Sequence, residues 1–258
     1  MKTRIISAIV LVLICVPPLL LGGIYIKLLA AFVAVVGSYE FINIREKDFN
    51  IPLYVGILLY ILAVNIFKDN IVSVTILFTI ALFIGAIITP KLDINDVSLA
   101  LLVGTVIAYA VHATLTIYTF NEGPYLMLFI LLATFGSDTM ALFTGMAFGK
   151  HKLCERISPK KTIEGAIGGW ISGAIISFVF AHFFITSLDT NVITLLAITL
   201  PVIGQIGDLS FSMIKRHFKI KDFGNLIPGH GGVLDRCDSL IFCLIYFIAV
   251  VGMFIWEK

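Results

Sequence analysis

Nine apolar runs, each close to the length of a bilayer crossing, leave little of this chain for a water-soluble fold. They cover residues 5–21, 24–42, 52–67, 71–88, 97–118, 125–148, 163–185, 192–214 and 240–256. A helix crosses the hydrocarbon core with roughly 20 mostly apolar residues, and the runs at 52–67 and 240–256 are among the shortest. Polar punctuation separates them, such as Lys68-Asp69-Asn70, Thr89-Pro90-Lys91 and Asn121-Glu122-Gly123-Pro124. Of the 258 residues 59% are hydrophobic and 13% charged, whereas a soluble domain is about half apolar and about a quarter charged. Mean hydropathy is +1.06. The charges are too few to give a globule of this size a water-facing skin. The expected fold is an all-α polytopic membrane protein of about nine transmembrane helices. We read residues 1–258 as a single integral membrane unit, with helices alone in 1–95 and the chemistry-bearing motifs in 96–258. The first run follows Met1-Lys2-Thr3-Arg4 but no small-residue cleavage site follows it, so it reads as a retained helix kinked at Pro17-Pro18.

Charge orients the chain. With nine crossings and an inside N-terminus, all of the 18 Lys and Arg except Lys27, Lys68 and Lys258 fall on the inside, as the positive-inside rule requires. The expected topology has a cytoplasmic N-terminus and an outside C-terminus. The net charge of +2 hides this asymmetry, and there is no basic arm with interleaved aromatics for nucleic acid. Cys15, Cys154, Cys237 and Cys243 have neither CxxC spacing nor companion histidines, so they read as bystanders rather than zinc ligands.

Two inside regions depart from a lipid-facing pattern. In the stretch 149–165, Ser158-Pro159 has the form of a helix start, an N-cap followed by proline. Lys160 and Lys161 come next, where the helix dipole disfavours cations. That placement makes sense if an anion binds there among ammoniums and backbone N–H groups. An ordinary basic loop beside the membrane is the plainer alternative.

The second region runs from 207 to 239. Asp208, Ser212 and Lys215 share one helix face, and an acidic residue in a spanning helix is a functional candidate. Gly229-His230-Gly231-Gly232 can fold tightly around phosphate oxygens, and Asp235 and Asp238 follow at i and i+3. Carboxylates beside such a turn suit Mg²⁺, which takes one or two of them together with substrate phosphates. Asp208 and Asp235 are the expected ligands. A salt-bridged surface loop is the alternative.

These residues carry a family resemblance. Ser212, Ile214, Lys215-Arg216, Lys221-Asp222, Gly224, Pro228, His230-Gly231-Gly232, Val233, Asp235-Arg236 and Asp238 resemble the signature of the phosphatidate cytidylyltransferase, or CDP-diacylglycerol synthase, family. Cys237 stands where that family usually has a larger apolar residue. Ser137-Asp138-Thr139, Phe148-Gly149-Lys150, Ser158 to Thr162 and Glu164-Gly165 are similar to it as well, with Met140 and Met146 departing from the pattern. The resemblance is sharp in the second half of the chain, while in the first half only the hydrophobic layout matches.

The resemblance implies that CTP and phosphatidate give CDP-diacylglycerol and pyrophosphate at a Mg²⁺ site in the cytoplasmic (inner) membrane, with K⁺ the candidate for a second cation. It implies Asp208, Asp235, Lys215 and Asp238 as catalytic, within a cytoplasm-facing polar cavity. Ser158, Lys160, Lys161, Thr162, Asp138, Ser212, Arg216, Lys221, Asp222, His230, Gly231, Gly232 and Arg236 are implied in substrate binding.

Weaker readings complete the picture. Asp138 lies about 18 Å along its helix from Lys150, deep enough that it must line the cavity or bond a neighbouring helix. His112 reads as structural. Gly165, Gly169 and Gly173 mark a close helix contact, with a homodimer face as one use. A transporter using Asp138 and Asp208, or a CTP-dependent lipid kinase releasing CDP, are the rival functions.

Overall fold

The computed structural model describes residues 2–44, 50–90 and 92–255. Arg45, Lys47, Lys91 and Lys258, on which part of the charge asymmetry rests, lie outside the described residues, as do Trp256 and the side chains of Lys2 and Arg4. Among the described residues there are nine α-helices: α1 (Lys2–Leu21), α2 (Gly23–Asn43), α3 (Ile51–Ile66), α4 (Ile71–Ile88), α5 (Ile94–Ile117), α6 (Gly123–Phe148), α7 (Ile163–Phe184), α8 (Thr190–His217) and α9 (Leu234–Ile255). A two-stranded hairpin, β1 (Lys152–Cys154) and β2 (Ser158–Thr162), separates α6 from α7.

Local chemistry sets the starts. Asn50 Oδ1 accepts from the Leu53 amide at 3.0 Å, with Pro52 in the first turn of α3. Asp93 and Asp96 form a reciprocal capping box on α5. Between α1 and α2, Gly22 and Gly23 take positive φ of 61° and 54°, a conformation that glycine adopts without strain.

The number of spans differs from the sequence expectation. Among the described residues seven helices are long and apolar enough to cross a membrane, while α3 falls short and the stretch of α1 searched for this is the shorter Ile9–Leu21. The 16 residues of α3 reach only about 24 Å, less than the hydrocarbon core of about 30 Å. Hydrogen bonds nevertheless pin α1 at both of its ends. Ser7 Oγ donates to the Pro228 carbonyl at 2.8 Å, and the Tyr118 hydroxyl donates to the Leu19 carbonyl at 2.6 Å. Pro228 belongs to the loop before α9, and Tyr118 ends α5, so α1 runs from one face of the bundle to the other.

That second face is tied by Glu122, which accepts from the amides and hydroxyls of Thr186 and Ser187. Slight burial pushes its carboxyl up, but the four kinds of hydrogen bond outweigh it and pull the pKa down to about 2.

The glycine stripe on α7 faces inward. A Cβ at Gly165, Gly169 or Gly173 would stand 2.7, 2.6 or 2.8 Å from the carbonyls of Ala141, Ser137 or Ala133 on α6. The stripe is therefore a close helix contact, as its spacing implied, and it is made within the chain, so it does not serve as the dimer face that was one possible use of it. One hydrophobic core joins α2, α3 and α5 through Phe41, Ile57 and Ile107 and includes Phe211, Phe223 and Leu234. A second joins the other ends of α5, α6, α8 and α9 through Ile117, Phe129, Leu196 and Phe247. Outward-facing side chains such as Val72, Ile87 and Ile88 on α4 are large, apolar and exposed, the surface that lipid solvates.

Candidate active site

Ser158 and Pro159 do not start a helix. They open β2, and α7 begins four residues later, capped by Thr162, whose Oγ1 accepts from the Gly165 amide at 3.1 Å. The reason lies in Glu164, in the first turn of α7. It gathers the amides of Lys150 (3.1 Å) and His151 (3.2 Å) and the His151 ring at 2.6 Å, folding the intervening chain back on itself. Proline tolerates an edge strand as readily as a helix start. Arg216, at the end of α8, fastens the hairpin: its guanidinium donates to the carbonyls of Ile157 at 3.2 Å and Ile220 at 2.9 Å.

The hairpin presents Lys161 to α8. Lys161 Nζ lies 2.5 Å from Asp208 Oδ2, and Ser212 Oγ donates to Asp208 Oδ1 at 3.2 Å, so the shared helix face of Asp208 and Ser212 forms as expected. One turn further, Lys215 is buried with its ammonium 2.7 Å from Asp235 Oδ1 and 3.9 Å from Asp238 Oδ2. It also sits 5.3 Å above the centre of the Phe223 ring.

Asp235 and Asp238 stand on the first turn of α9, six residues before the ninth apolar run was expected to begin. The other oxygen of Asp235 accepts from the Phe223 and Gly232 amides at 2.7 and 2.9 Å. The turn before it closes through the Ile227 amide on the Gly231 carbonyl at 2.9 Å, with Gly229 and Gly231 at φ of 78° and 88°.

The two lysine–aspartate pairs and Asp238 border one cavity of about 1160 Å³. At one end it is lined by Lys160, Lys161, Asp208, Lys215, Asp235 and Asp238, with Asp138, Thr162, Asp222, His230 and Arg236 alongside. Leu11, Val16, Leu29, Leu131 and Phe135 line the rest, from α1, α2 and α6. Ser158, Arg216 and the exposed Lys221 stand outside this wall, and Gly231 and Gly232 shape the turn behind it. Asp138 faces the cavity, with Ser239 Oγ donating to it at 3.4 Å, while its neighbour Ser137 makes the helix-to-helix bond with Gln205 at 3.2 Å. Asp138, Asp208 and Asp238 are near enough for their charges to act on one another. His230 Nδ1 is buried without a hydrogen-bond partner among the described residues, and His112 only approaches Thr116, at 3.4 Å.

No cluster of three or more His, Cys, Asp or Glu arranged around a cation site occurs among the described residues. The donor chemistry still fits a hard cation, because five aspartates line one cavity. Asp208 and Asp238 have more free lone pairs than Asp235, which already accepts three hydrogen bonds.

Glu40 and Gln205 went unnoticed in the sequence. Glu40 lies in the second apolar run, 4% exposed, and bonds the start of α9. The rule that intramembrane carboxylates are functional candidates would have found it. Gln205 donates to Ser137 Oγ and, at 3.0 Å, to the Ala166 carbonyl.

A chamber with apolar walls and an end of lysines and aspartates, among helices long and apolar enough to cross a membrane, has the chemistry of a membrane-protein site for an amphipathic, anionic ligand. The chain belongs to the cytidylyltransferase family, whose sequence profile matches residues 2–254. It is 34% identical over 256 residues to a phosphatidate cytidylyltransferase of Staphylococcus haemolyticus, covering 95% of this chain and 96% of that protein. Similarity to the proteins of the same name from Staphylococcus saprophyticus (34% over 253 residues) and Staphylococcus aureus strain COL (33% over 255) covers the same shares.

Proposed function

We propose that the protein transfers the cytidylyl group of CTP to phosphatidate, giving CDP-diacylglycerol and pyrophosphate. The observation that carries this reading is the two-part cavity: apolar walls suited to acyl chains meet an end built from Lys160, Lys161 and Lys215. A phosphate oxygen of phosphatidate attacks the α-phosphorus of CTP. The new oxygen–phosphorus bond forms as the bond to the β-phosphate oxygen breaks, and pyrophosphate leaves with the bonding pair.

That nucleophile is already ionised near neutral pH, so no general base is needed. The work lies in holding two polyanions together and neutralising the charge that grows on the leaving group. Lys161 and Lys215, each oriented by an aspartate, are suited to it, as is the exposed Lys160. Asp208 and Asp235, with Asp238 beside them, would hold Mg²⁺, and a second cation such as K⁺ would also suit so acidic a site. The chemistry supplied by a cation held by these carboxylates would be positive charge to offset that on the leaving pyrophosphate. His230 shapes the turn.

The site faces the cytoplasm in this reading, where CTP is available, with the N-terminus inside, the C-terminus outside and the chain in the cytoplasmic membrane. The positive-inside charge distribution supports it. Incubating purified protein with labelled CTP and phosphatidate tests the reaction. Labelled CDP-diacylglycerol with one pyrophosphate per turnover is expected. Release of CDP instead would identify a lipid kinase, and no turnover would leave the transporter reading.

A further inference from the structure

We infer that Glu40 on α2 is a positioning residue for the reaction, holding the start of α9 and the turn before it in register with the cavity. The inference rests on reading that turn and Asp235 as part of the active site.

The first N–H groups of a helix have no partner within the helix and need one from outside. At α9 Glu40 supplies it to the cap residue and the first helical residue, while Asp235 holds the turn just before them. Asp235 takes the Gly232 amide, and Glu40 takes the next two, Val233 on Oε1 at 2.8 Å and Leu234 on Oε2 at 2.9 Å. Hydrogen bonds to an ionised acceptor are among the stronger ones, and a helix N-terminus favours an anion.

The turn is also shaped around this side chain. A Cβ on Gly232 would stand 2.5 Å from both Glu40 oxygens, and one on Gly224 would stand 2.7 Å from Oε1. Both glycines therefore make room for a carboxylate that arrives from nearly 200 residues away in sequence. One helical turn before Glu40, Gly37 admits the Leu234 side chain: a Cβ there would lie 3.0 Å from Leu234 Cδ2. Helix α2 thus grips Leu234 by backbone and side chain at once, and Leu234 is fully buried.

Leu234 directly precedes Asp235, which orients Lys215. Slackening the grip displaces the aspartate, the lysine and the turn together. Misplacement of about 1 Å in an active site is enough to cost about a hundredfold in rate.

Glu40→Gln keeps the shape but turns one amide donor toward another. The measurement is steady-state kinetics in detergent–phosphatidate micelles, normalised to folded protein from a melting curve. The expected result is a fall of about ten- to a hundredfold in kcat/KM for CTP, with KM itself raised. Glu40→Asp, which keeps the charge, recovers part of the loss and serves alone if the glutamine variant does not fold. A rate that falls only in step with folded protein, at unchanged KM, makes Glu40 merely structural and overturns the inference.

Asp235→Asn run in parallel separates the two levels. If it keeps wild-type turnover, the reading of the site fails and the inference with it. If it is inactive while Glu40→Gln matches wild type, the inference alone fails.

Discussion

Asp208 and Asp235 carry equal formal charge, yet their surroundings predict different variants. Asp208 is about a quarter exposed and pairs with a partly exposed Lys161, so Asp208→Asn removes the charge with little cost to folding. Asp235 is 1% exposed at its side chain and faces a buried Lys215. Breaking a buried pair costs about 3–5 kcal/mol of stability where the charge left behind has no partner, and here Asp238 at 3.9 Å from Lys215 offsets only part of that loss. Both variants are expected to lose more than about tenfold in turnover, or 1.4 kcal/mol. Only Asp235→Asn is expected to melt clearly lower in detergent. Equal melting midpoints would contradict the buried-pair account.

For the cations, Lys160→Ala, Lys161→Ala and Lys215→Ala are each expected to cost about 1.5 to 3 kcal/mol in transition-state binding. That corresponds to roughly ten- to a hundredfold in rate. His230 has no proton to take from an ionised phosphate. The pH–rate profile at saturating Mg²⁺ should therefore show no limb near the ordinary histidine value of about 6.5 that His230→Gln abolishes.

At the scale of elements, legibility followed the period of the signal. Nine helices were readable because the apolar runs are long and evenly punctuated, and the face shared by Asp208 and Ser212 followed from helical spacing. The hairpin was not readable, because Ser158-Pro159 satisfies a helix-start rule equally well. What decides against a helix there is Glu164, whose partners Lys150 and His151 stand on the far side of the hairpin. The i, i+3 spacing of Asp235 and Asp238 suited the start of the ninth helix, and α9 does begin there, although the apolar run itself starts only at residue 240 because Asp235, Arg236 and Asp238 interrupt it.

The glycine stripe was recognised as a contact, but its partner required coordinates. Its location gives an element-level prediction. Gly169→Ala pushes a methyl against the Ser137 carbonyl and Ala141 and so separates α6 from α7, at about 1–3 kcal/mol. Gly56→Ala on α3 meets nothing within 4 Å and should leave the melting midpoint unchanged or slightly raised. Matching shifts for the two variants would remove the close-packing explanation.

At the scale of the whole molecule, the two ends of the bundle differ in chemistry. One carries the hairpin, the end of α8, the loop before α9 and the carboxylate of Glu40. The other carries the bracket of Glu122 on Thr186 and Ser187 and the Tyr118 bond to Leu19. Sequence charge separates the same two ends, since Lys150, Lys152, Arg156, Lys160, Lys219 and Lys221 all cluster at the first. A helix bundle held in lipid cannot readily turn over, because moving these charges through hydrocarbon costs several kcal/mol each. The basic end should therefore face the cytoplasm in every molecule. Single cysteines at positions 160 and 221, in a background lacking the four native thiols, should resist an impermeant thiol reagent added to intact cells. Each should react once the membrane is opened. A cysteine at position 121, beside the Glu122 bracket at the opposite end, should react from outside without lysis. Strong labelling of position 160 or 221 in intact cells would place the cavity's charged end outside, away from the CTP pool, and would remove the proposed reaction along with the topology.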